Sequence, residues 1–413
     1  MNRAVSLLFF IFILGFVDYY LFIATRELFK SSSEQSQRTF SFIYWAIPVV
    51  SLLLFLGAFI LYPAYLPVRV RNLIASAVFI IYISKFLAVI VLFFSEIVRF
   101  FQWSGRKISQ INSPTTDAPT IPRSTFLTQA ALAVGGVQLG AMTWGIISGA
   151  HDYRIKRVTL RLPNLPKKFQ GMTIAQLSDI HTGSFFNKTA VQGGVDLLLS
   201  QKPDVVFFTG DLVNNEAKEV KDYFDIFAQV KAPLGVYSTL GNHDYGDYIS
   251  WNSPRAKAQN LADLKEAHRL MGWNLLLDTH HPLTIENESI GILGIQNWGA
   301  GGFAKYGNLE KTLENTQDLP VKLLLSHDPS HWREQVLGKT NIDASFAGHT
   351  HGMQFGVEIG DFKWSPVQYR YKEWAGLYQE NEQQLYVNRG FGFIGYPGRV
   401  GILPEITLFT LSS

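Results

Sequence analysis

Four long apolar stretches precede residue 151, and they constrain the fold more than any other feature of the chain. The stretches cover residues 4–24, 42–66, 73–98 and 126–150. Each can cross a hydrocarbon core of about 30 Å as a helix that rises about 1.5 Å per residue. Soluble helices keep a polar face, which these stretches mostly lack. We therefore expect residues 1–150 to form a four-helix transmembrane region in a multi-pass protein of the cell membrane.

The overall composition excludes several classes of protein. Only 17% of the 413 residues are charged, against 47% that are hydrophobic, and this deficit of charge is concentrated in the first 150 residues. A net charge of +3 is too small to indicate nucleic-acid binding. The chain has no cysteine, which excludes disulfides and thiolate metal sites. The lipid bilayer is the partner that the sequence indicates, and no protein partner can be inferred from it.

Two charged residues, Asp18 and Lys85, lie inside the first and third apolar stretches. A lone charge at such depth costs several kcal/mol, so burial and pairing are expected. The first and third spans run in the same direction, which places the two residues at depths that differ by roughly 6 Å. They therefore either form an ion pair or extend separately toward a membrane interface.

Basic residues in the short loops indicate how the chain is oriented in the membrane. Seven lie on one side and three on the other: Arg26, Lys30, Arg38, Arg99, Arg106, Lys107 and Arg123, against Arg3, Arg69 and Arg71. The richer side is expected in the cytoplasm, which places the C-terminal domain outside. A basic cluster just after the fourth span argues the other way: Arg154, Lys156, Arg157, Arg161, Lys167 and Lys168. Long domains cross membranes largely regardless of charge, so we expect an extracytoplasmic domain.

From residue 151 onward, short apolar runs alternate with longer polar segments. The predicted strands cover residues 172–177, 205–209, 236–240, 290–295, 321–325 and 344–347. The predicted helices cover residues 190–200, 217–230 and 256–271. Strands that alternate with helices indicate stacked α/β layers. We expect residues 151–413 to form one α/β domain.

Five polar blocks follow the ends of these strands: SDIH (178–181), GD (210–211), GNHD (241–244), SH (326–327) and GHTH (348–351). Open α/β sheets bind ligands at the carboxyl edge of their strands, so the five blocks are expected to meet there. Asp, Asn and His are ligands for divalent cations such as Mn²⁺, Zn²⁺ or Fe²⁺. Seven of the residues of these types, spread over the five blocks, are more ligands than one ion needs. They suit two divalent ions that share a carboxylate, an arrangement used in phosphoryl chemistry.

In their order and spacing, the blocks resemble those of the calcineurin-like metallophosphoesterase superfamily. The matching segments read SDIH, TGDLVN, GNHDY, SHDP and GHTHG, and the resemblance covers nearly all of residues 170–413. The tail from Asn388 to Ile406 is similar to the membrane-anchored, YkuE-like branch of that superfamily. The resemblance implies a four-layer β-sandwich flanked by helices.

The resemblance also implies a role for each matching residue. Asp179, His181 and His351 correspond to the ligands of one metal, and Asn242, His327 and His349 to those of the second. Asp211 corresponds to the ligand that bridges both metals. His243 corresponds to a residue that binds phosphate and assists the leaving group, and Asp244 to the one that orients His243.

Residues outside the blocks are candidates for substrate binding. Arg389 and Arg399 are candidate phosphate clamps, because a guanidinium group pairs bidentately with phosphate; the alternative for each is a salt bridge. His331 is a third candidate, since it follows the SHDP block. Four aromatic residues are candidates for holding an acyl chain or a sugar at the rim of the substrate pocket: Trp251, Trp298, Phe303 and Tyr306.

These patterns predict a membrane-anchored, dinuclear metal-dependent phosphohydrolase that cleaves phosphoester or pyrophosphate bonds. An anchored site suits a lipid-linked or amphiphilic phosphorylated substrate. One alternative is a pyrophosphatase of the UDP-2,3-diacylglucosamine type. Another is a metal-binding membrane scaffold without activity, but such a scaffold would be expected to have lost some of the ligands.

Overall fold

The computed structural model describes residues 3–61, 65–109, 123–360 and 362–413. Residues 62–64, at the end of the second apolar stretch, lie outside this range. The chain forms two compact units, Met1–Thr143 and Trp144–Ser413. The division falls earlier than the boundary near residue 150 that the sequence suggests, because the last residues of the fourth helix pack within the C-terminal unit.

Four long α-helices form the first part of the described chain: α1 (Arg3–Arg26), α2 (Glu34–Leu56), α3 (Val68–Ser109) and α4 (Arg123–Ile147). Within the described residues, four helical segments are long and apolar enough to cross a membrane, and each coincides largely with one of these helices. These segments cover Phe9–Phe29, Glu34–Ile60, Val70–Val98 and Thr125–His151. The predicted four-helix transmembrane region is thus confirmed, and the protein is a multi-pass membrane protein.

The outward surfaces of these helices are apolar. Phe12 and Val137, for example, are 70% and 73% exposed, as expected for side chains that contact lipid. A small core lies between the helices, made of Val17, Leu21, Ala88, Val89, Leu92 and Ala131. Gly135 of α4 allows close approach to α3, because a Cβ atom there would lie 2.9 Å from the carbonyl oxygen of Ser84.

Asp18 of α1 and Lys85 of α3 form an ion pair, with 2.6 Å between Oδ1 and Nζ. The hydroxyl of Tyr82 donates to the other carboxylate oxygen at 2.9 Å, and the hydroxyl of Tyr44 donates to the main-chain carbonyl of Asp18 at 2.8 Å. The Asp18 side chain is 2% exposed and that of Lys85 is 12% exposed. Of the two arrangements that the sequence leaves open, the structure has the ion pair.

The C-terminal unit is built on two six-stranded sheets. The first sheet has the order β1-β14-β2-β3-β4-β5 and the second β12-β13-β9-β8-β7-β6 within the described residues. The strands of the first sheet are β1 (Arg154–Arg161), β2 (Thr173–Leu177), β3 (Val205–Phe208), β4 (Val236–Ser238), β5 (Asn274–Leu275) and β14 (Glu405–Ser412). Those of the second are β6 (Thr279–Ile285), β7 (Glu288–Gly294), β8 (Lys322–Leu325), β9 (Ala344–Ala347), β12 (Gly376–Glu380) and β13 (Gln383–Val387). A two-stranded ribbon pairs β10 (Val357–Ile359) with β11 (Phe362–Trp364).

The two sheets pack face to face through a buried core to which both contribute, as Phe207 of β3 and Phe346 of β9 illustrate with rings 5.0 Å apart. Helices and loops cover the outer faces. The outer face of the first sheet carries α5 (Lys188–Ser200), α6 (Phe224–Phe227) and α7 (Pro254–Met271). The outer layer of the second includes α8 (Leu309–Leu313). The four-layer sandwich implied by the resemblance is therefore confirmed.

Two segments differ from the secondary structure predicted from the sequence. Residues 217–230 do not form one helix: a 3₁₀ helix over Ala217–Asp222 begins where the Glu219 carboxylate accepts from the amide of Glu216, and the short α6 follows it. The basic residues 154–161 form the outer strand β1, paired in parallel with β14. Lysine and arginine are common on edge strands, where they discourage further pairing.

The basic cluster that follows the fourth span is partly neutralised. Three of its residues pair with carboxylates: Arg154 with Asp152 at 2.6 Å, Lys156 with Glu358 at 2.7 Å, and Lys168 with Glu286 at 2.8 Å. The local excess of positive charge is consequently smaller than the sequence suggests.

Candidate metal centre

The loops after five central strands carry the predicted ligands to one edge of the sandwich. Asp179 and His181 follow β2, Asp211 follows β3, and Asn242 follows β4. In the second sheet, His327 follows β8, while His349 and His351 follow β9. Chain direction explains the convergence, because β2, β3 and β4 run parallel, as do β8 and β9.

Five of these residues adopt the left-handed backbone conformation, with φ between 50° and 70°: Asp179, His181, Asp211, His349 and His351. Each such residue costs about 1–3 kcal/mol, and strain of this kind clusters at functional sites. Gly210 and Gly348 permit the close contacts between loops. A Cβ atom on Gly210 would lie 2.4 Å from the amide nitrogen of Gly241, and one on Gly348 would lie 2.1 Å from a carboxylate oxygen of Asp179.

Asp179, His181 and His351 form a first buried cluster whose ligand atoms lie within 4.8 Å of one another. The Nε2 atoms of His181 and His351 are 3.0 Å apart, and Nε2 of His351 is 3.3 Å from Oδ1 of Asp179. Convergence of two imidazole nitrogens and a carboxylate oxygen fits a divalent cation with nitrogen and oxygen ligands.

Asp211, His327 and His349 form a second cluster of the same size. The side-chain oxygen of Asn242 joins it, 3.2 Å from Nε2 of His327 and 2.8 Å from Nδ1 of His349. The Oδ2 atom of Asp211 lies 3.1 Å from His327 and 3.6 Å from His181. Asp211 therefore stands between the clusters, and the seven predicted ligands all meet there.

The electrostatics of the site favour bound cations. Burial, together with the neighbouring Asp211, raises the pKa of Asp179 to about 6 and that of Asp244 to about 7. Burial lowers the pKa of His181 to about 3 and that of His349 to about 4, so both rings are neutral and able to bind metal. Although burial opposes it, Asp211 raises the pKa of His327 to about 10, which puts a positive charge where a cation would otherwise lie. The donor set therefore fits divalent metals.

His243 lies beside the clusters and belongs to neither. Its Nδ1 atom is 2.8 Å from the carbonyl oxygen of Asn214, and since a carbonyl only accepts, Nδ1 carries the proton. Nε2, the other ring nitrogen, takes no part in this hydrogen bond.

Asp244 differs from the expectation that it orients His243. Its carboxylate accepts hydrogen bonds from four main-chain amides instead, those of Asp211, Leu212, Val213 and Gly241. Asp244 thus holds the loop that carries Asp211, and the carbonyl of Asn214 orients His243.

The three predicted substrate contacts have other partners. Arg399 is 1% exposed, and its guanidinium donates to the carbonyl oxygens of Arg389, Gly390 and Gly392. Arg389 pairs with Glu405 and Glu358, the salt-bridge alternative that the sequence left open. His331 is fully buried, 2.9 Å from Ser326 and 3.0 Å from Gln335. In this arrangement the Nη atoms of both arginines and both ring nitrogens of His331 face protein atoms, while the buried Nε of Arg389 has no hydrogen-bond partner among the described residues.

Two tyrosines near the clusters were not predicted. The hydroxyl of Tyr248 accepts a hydrogen bond from the Asn242 amide at 2.7 Å, which turns the amide oxygen toward His327 and His349. The hydroxyl of Tyr371 lies 2.7 Å from Nε2 of His349. Tyr248 lies close to the GNHDY block, whereas Tyr371 stands in a segment with no motif, so its role left no signal in the sequence.

The four aromatic residues predicted at the pocket rim have different partners in the structure. Phe303 packs edge-on against His349, with ring centroids 4.8 Å apart, and Tyr306 stacks on Tyr245 at 3.9 Å. Trp298 is only 9% exposed, and Trp251 donates its indole N–H to the carbonyl of Gly246. Of the four candidates, Phe303 is the one with a ring contact to a candidate ligand.

Comparison with known families gives two matches that together cover most of the chain. Residues 2–150 match the family described as probable calcineurin-like phosphoesterase, transmembrane domain. Residues 172–353 match the calcineurin-like phosphoesterase family.

Three curated relatives illustrate the similarity. The chain is 28% identical to the uncharacterized metallophosphoesterase YkuE of Bacillus subtilis, over 68% of this chain and 94% of that protein. It is 28% identical to the transmembrane protein with metallophosphoesterase domain of Danio rerio, over 65% of this chain and 59% of that one. It is 27% identical to the UDP-2,3-diacylglucosamine pyrophosphatase LpxG of Chlamydia trachomatis, over 61% of this chain and 88% of that protein.

Proposed function

Because the chain belongs to the calcineurin-like metallophosphoesterases and is a membrane-associated phosphoester hydrolase of that family, we propose that it hydrolyses an amphiphilic phosphoester or pyrophosphate at a dinuclear metal centre. The observation that carries the proposal is the convergence of ligand atoms from five loops on Asp211, between two clusters. The metals are divalent ions of the Mn, Zn or Fe type, which nitrogen and oxygen donors suit.

In this proposal, Asp179, His181 and His351 would hold one metal. Asn242, His327 and His349 would hold the second, and Asp211 would be the ligand shared by both. A pair of divalent cations lowers the pKa of coordinated water and neutralises charge on phosphoryl oxygens. The buried carboxylates and neutral imidazoles of this chain supply the negative charge and the lone pairs that such cations require.

His243 is proposed as the catalytic residue at the leaving group. Its hydrogen bond to the carbonyl of Asn214 fixes the ring and leaves Nε2 free. Protonated, Nε2 donates to a phosphoryl oxygen and then gives its proton to the departing oxygen, as a general acid. The rings of His181 and Tyr248 flank it at 5.0 Å and 4.6 Å, which limits its movement.

The substrate class is inferred from the surroundings of the site. Tyr248, Phe303 and Tyr371 come from three separate loops and each contacts a residue of the GNHD or GHTH block. Aromatic side chains offer apolar faces together with hydroxyl groups, which suits a sugar or an apolar group beside the phosphate. The transmembrane helices hold the site at a bilayer, where lipid head groups are concentrated. The relative LpxG is named as a UDP-2,3-diacylglucosamine pyrophosphatase, which favours a lipid-linked pyrophosphate among the proposed substrates.

The proposed location of the catalytic unit is outside the cytoplasm. The imbalance of basic residues in the short loops supports this orientation. A reporter that is active only outside the cytoplasm, fused after Ser413, is expected to be active, and the same reporter inserted near Ser33 to be silent. The reverse pattern would place the catalytic unit in the cytoplasm.

The substrate proposal is tested with the full-length protein in lipid bilayers. Catalytic efficiency is compared between a lipid-linked pyrophosphate and its water-soluble head-group analogue. We expect a higher catalytic efficiency for the lipid-linked compound. Phe303→Ala is expected to lower the efficiency on the lipid-linked compound more than the efficiency on the soluble analogue. Equal efficiencies on both compounds would exclude a lipid-directed site.

The role of His243 has its own test. His243→Ala is expected to lower turnover by about 10²–10⁴-fold, the usual contribution of a general acid, while metal content stays at the wild-type level. Loss of the metals in this variant would instead identify His243 as a ligand.

A further inference from the structure

Arg399 is a buried charged residue beside the first cluster, 1% exposed, that the proposed chemistry does not use. Its guanidinium binds main-chain carbonyls of the loop 389–392, with 2.6 Å to Gly392, 2.8 Å to Arg389 and 3.1 Å to Gly390. Its Nη2 atom also lies 3.3 Å from Nδ1 of His351. One planar side chain thus holds a whole loop in place beside a candidate ligand.

The loop that Arg399 holds lies directly against the first cluster. The amides of Phe391 and Gly392 donate to the carbonyl oxygens of Ser178 and Asp179 at 2.8 Å and 2.9 Å. A Cβ atom on Gly390 would come within 3.0 Å of Asp179 Cβ and 3.1 Å of His351 Nδ1. Movement of this loop would therefore displace Asp179 and His351 together.

The main chain of Arg399 is held in turn by the end of α4. Its amide donates to the carbonyl oxygen of Gly145 at 3.1 Å. A Cβ atom on Gly149 would lie 2.0 Å from the carbonyl oxygen of Arg399. One on Gly145 would lie 2.5 Å from the hydroxyl of Tyr396 and 2.9 Å from that same carbonyl. Only glycine fits at these two positions without displacing Arg399.

We propose that Arg399 is a positioning residue for the Asp179–His181–His351 cluster and that Gly145 and Gly149, at the end of the fourth membrane-spanning segment, hold Arg399 in place. The last turn of this segment is then part of the metal centre's support. The second cluster should depend less on this contact, because Asn242 and His327 stand on other loops, although His349 shares its loop with His351 and its amide donates to the Asp179 carboxylate at 2.9 Å. The inference rests on the proposed dinuclear centre.

The test measures Mn²⁺ binding to metal-stripped, full-length protein in detergent, with Gly149→Ala and Gly145→Ala as the variants. We expect one of the two Mn²⁺ dissociation constants to rise by about 10- to 100-fold, the usual effect of removing outer-shell support, and the other to stay within about two-fold. His351→Ala and Asn242→Ala serve as references, because they show which binding step belongs to which cluster.

The same helix provides matched controls. A Cβ atom on Gly136 or Gly140 would meet no atom within 4 Å, so Gly136→Ala and Gly140→Ala should leave both constants unchanged. Gly145→Ala meets first the hydroxyl end of Tyr396, which makes it the milder variant if Gly149→Ala fails to fold.

Unchanged Mn²⁺ binding in Gly145→Ala would overturn the inference. An equal loss of Mn²⁺ affinity at both sites, together with a lowered melting temperature, would also overturn it, because that result indicates a general structural role. A wild-type protein that binds fewer than two Mn²⁺ ions would contradict the proposed centre itself, which separates the two failures.

Discussion

Replacing Asp244 by asparagine tests how the loop that carries Asp211 is held. Each carboxylate oxygen of Asp244 accepts two main-chain hydrogen bonds. Oδ2 accepts from Asp211 and Gly241, both at 2.9 Å, and Oδ1 accepts from Leu212 at 2.8 Å and Val213 at 3.3 Å. An asparagine has one side-chain oxygen, which can accept from only two of these four amides. In either orientation, its NH₂ group would therefore face the other two N–H donors.

Two buried donors would then be left unsatisfied, at about 1–3 kcal/mol each, so we expect Asp244→Asn to lower the free energy of unfolding by roughly 2–6 kcal/mol. That corresponds to a fall in melting temperature of at least about 2 °C for a chain of this length. The displaced loop would also carry Asp211 away from His327, which should reduce the metal content below two ions per chain.

The measurement is thermal unfolding of the full-length protein in detergent, together with metal analysis of the same samples. Asp263→Asn is the control, because Asp263 is exposed and its carboxylate accepts a hydrogen bond from the side chain of Gln259. Its effect should stay within about 0.5 kcal/mol. An Asp244→Asn protein that is as stable as the control and keeps both metals would refute this reasoning.

Two further predictions concern buried groups outside the metal centre. Asp18→Ala or Lys85→Ala alone should destabilise the protein by about 3 kcal/mol or more, because each variant leaves an unpaired buried charge. The double variant Asp18→Leu/Lys85→Leu should recover much of that loss. Additive losses in this cycle would show that the two residues do not interact. Burial lowers the pKa of His268 to about 3, so the unfolded chain takes up a proton below pH 6.5 while the folded protein stays neutral there. The stability of the wild type relative to His268→Gln should therefore fall by about 1.4 kcal/mol per pH unit as the pH drops from 6.5 toward 3, and a difference that does not change with pH would contradict this.

The fold could be predicted from the sequence where a pattern is periodic or repeated. Apolar length identified the four membrane-spanning helices, and strands such as β9 (Ala344–Ala347) matched their predicted range because buried strands are continuous apolar runs. The outer strand β1 was not predicted, since its basic residues carry no apolar signal and its formation depends on β14, at the far end of the chain. Pairing between such distant segments leaves no local pattern.

The convergence of the candidate ligands was predictable because each stands in a short block at the end of an apolar strand. The supporting residues were not. Arg399 looked like a phosphate clamp, because a sequence shows the charge of a guanidinium but not the carbonyl groups around it. Asp244 was expected to orient His243, but the structure gives that contact to the main-chain carbonyl of Asn214, which carries no side-chain signature.

The central claim is that two divalent ions bridged by Asp211 carry the hydrolysis. It is tested most directly by adding Mn²⁺ stepwise to metal-stripped, full-length protein while recording hydrolysis of an aryl phosphate ester and of a lipid-linked pyrophosphate. The account predicts no activity without metal, full activity at close to two Mn²⁺ per chain, and no activity at any Mn²⁺ concentration in Asp211→Asn. Activity in the metal-free protein, saturation at one ion per chain, or an active Asp211→Asn variant would contradict it.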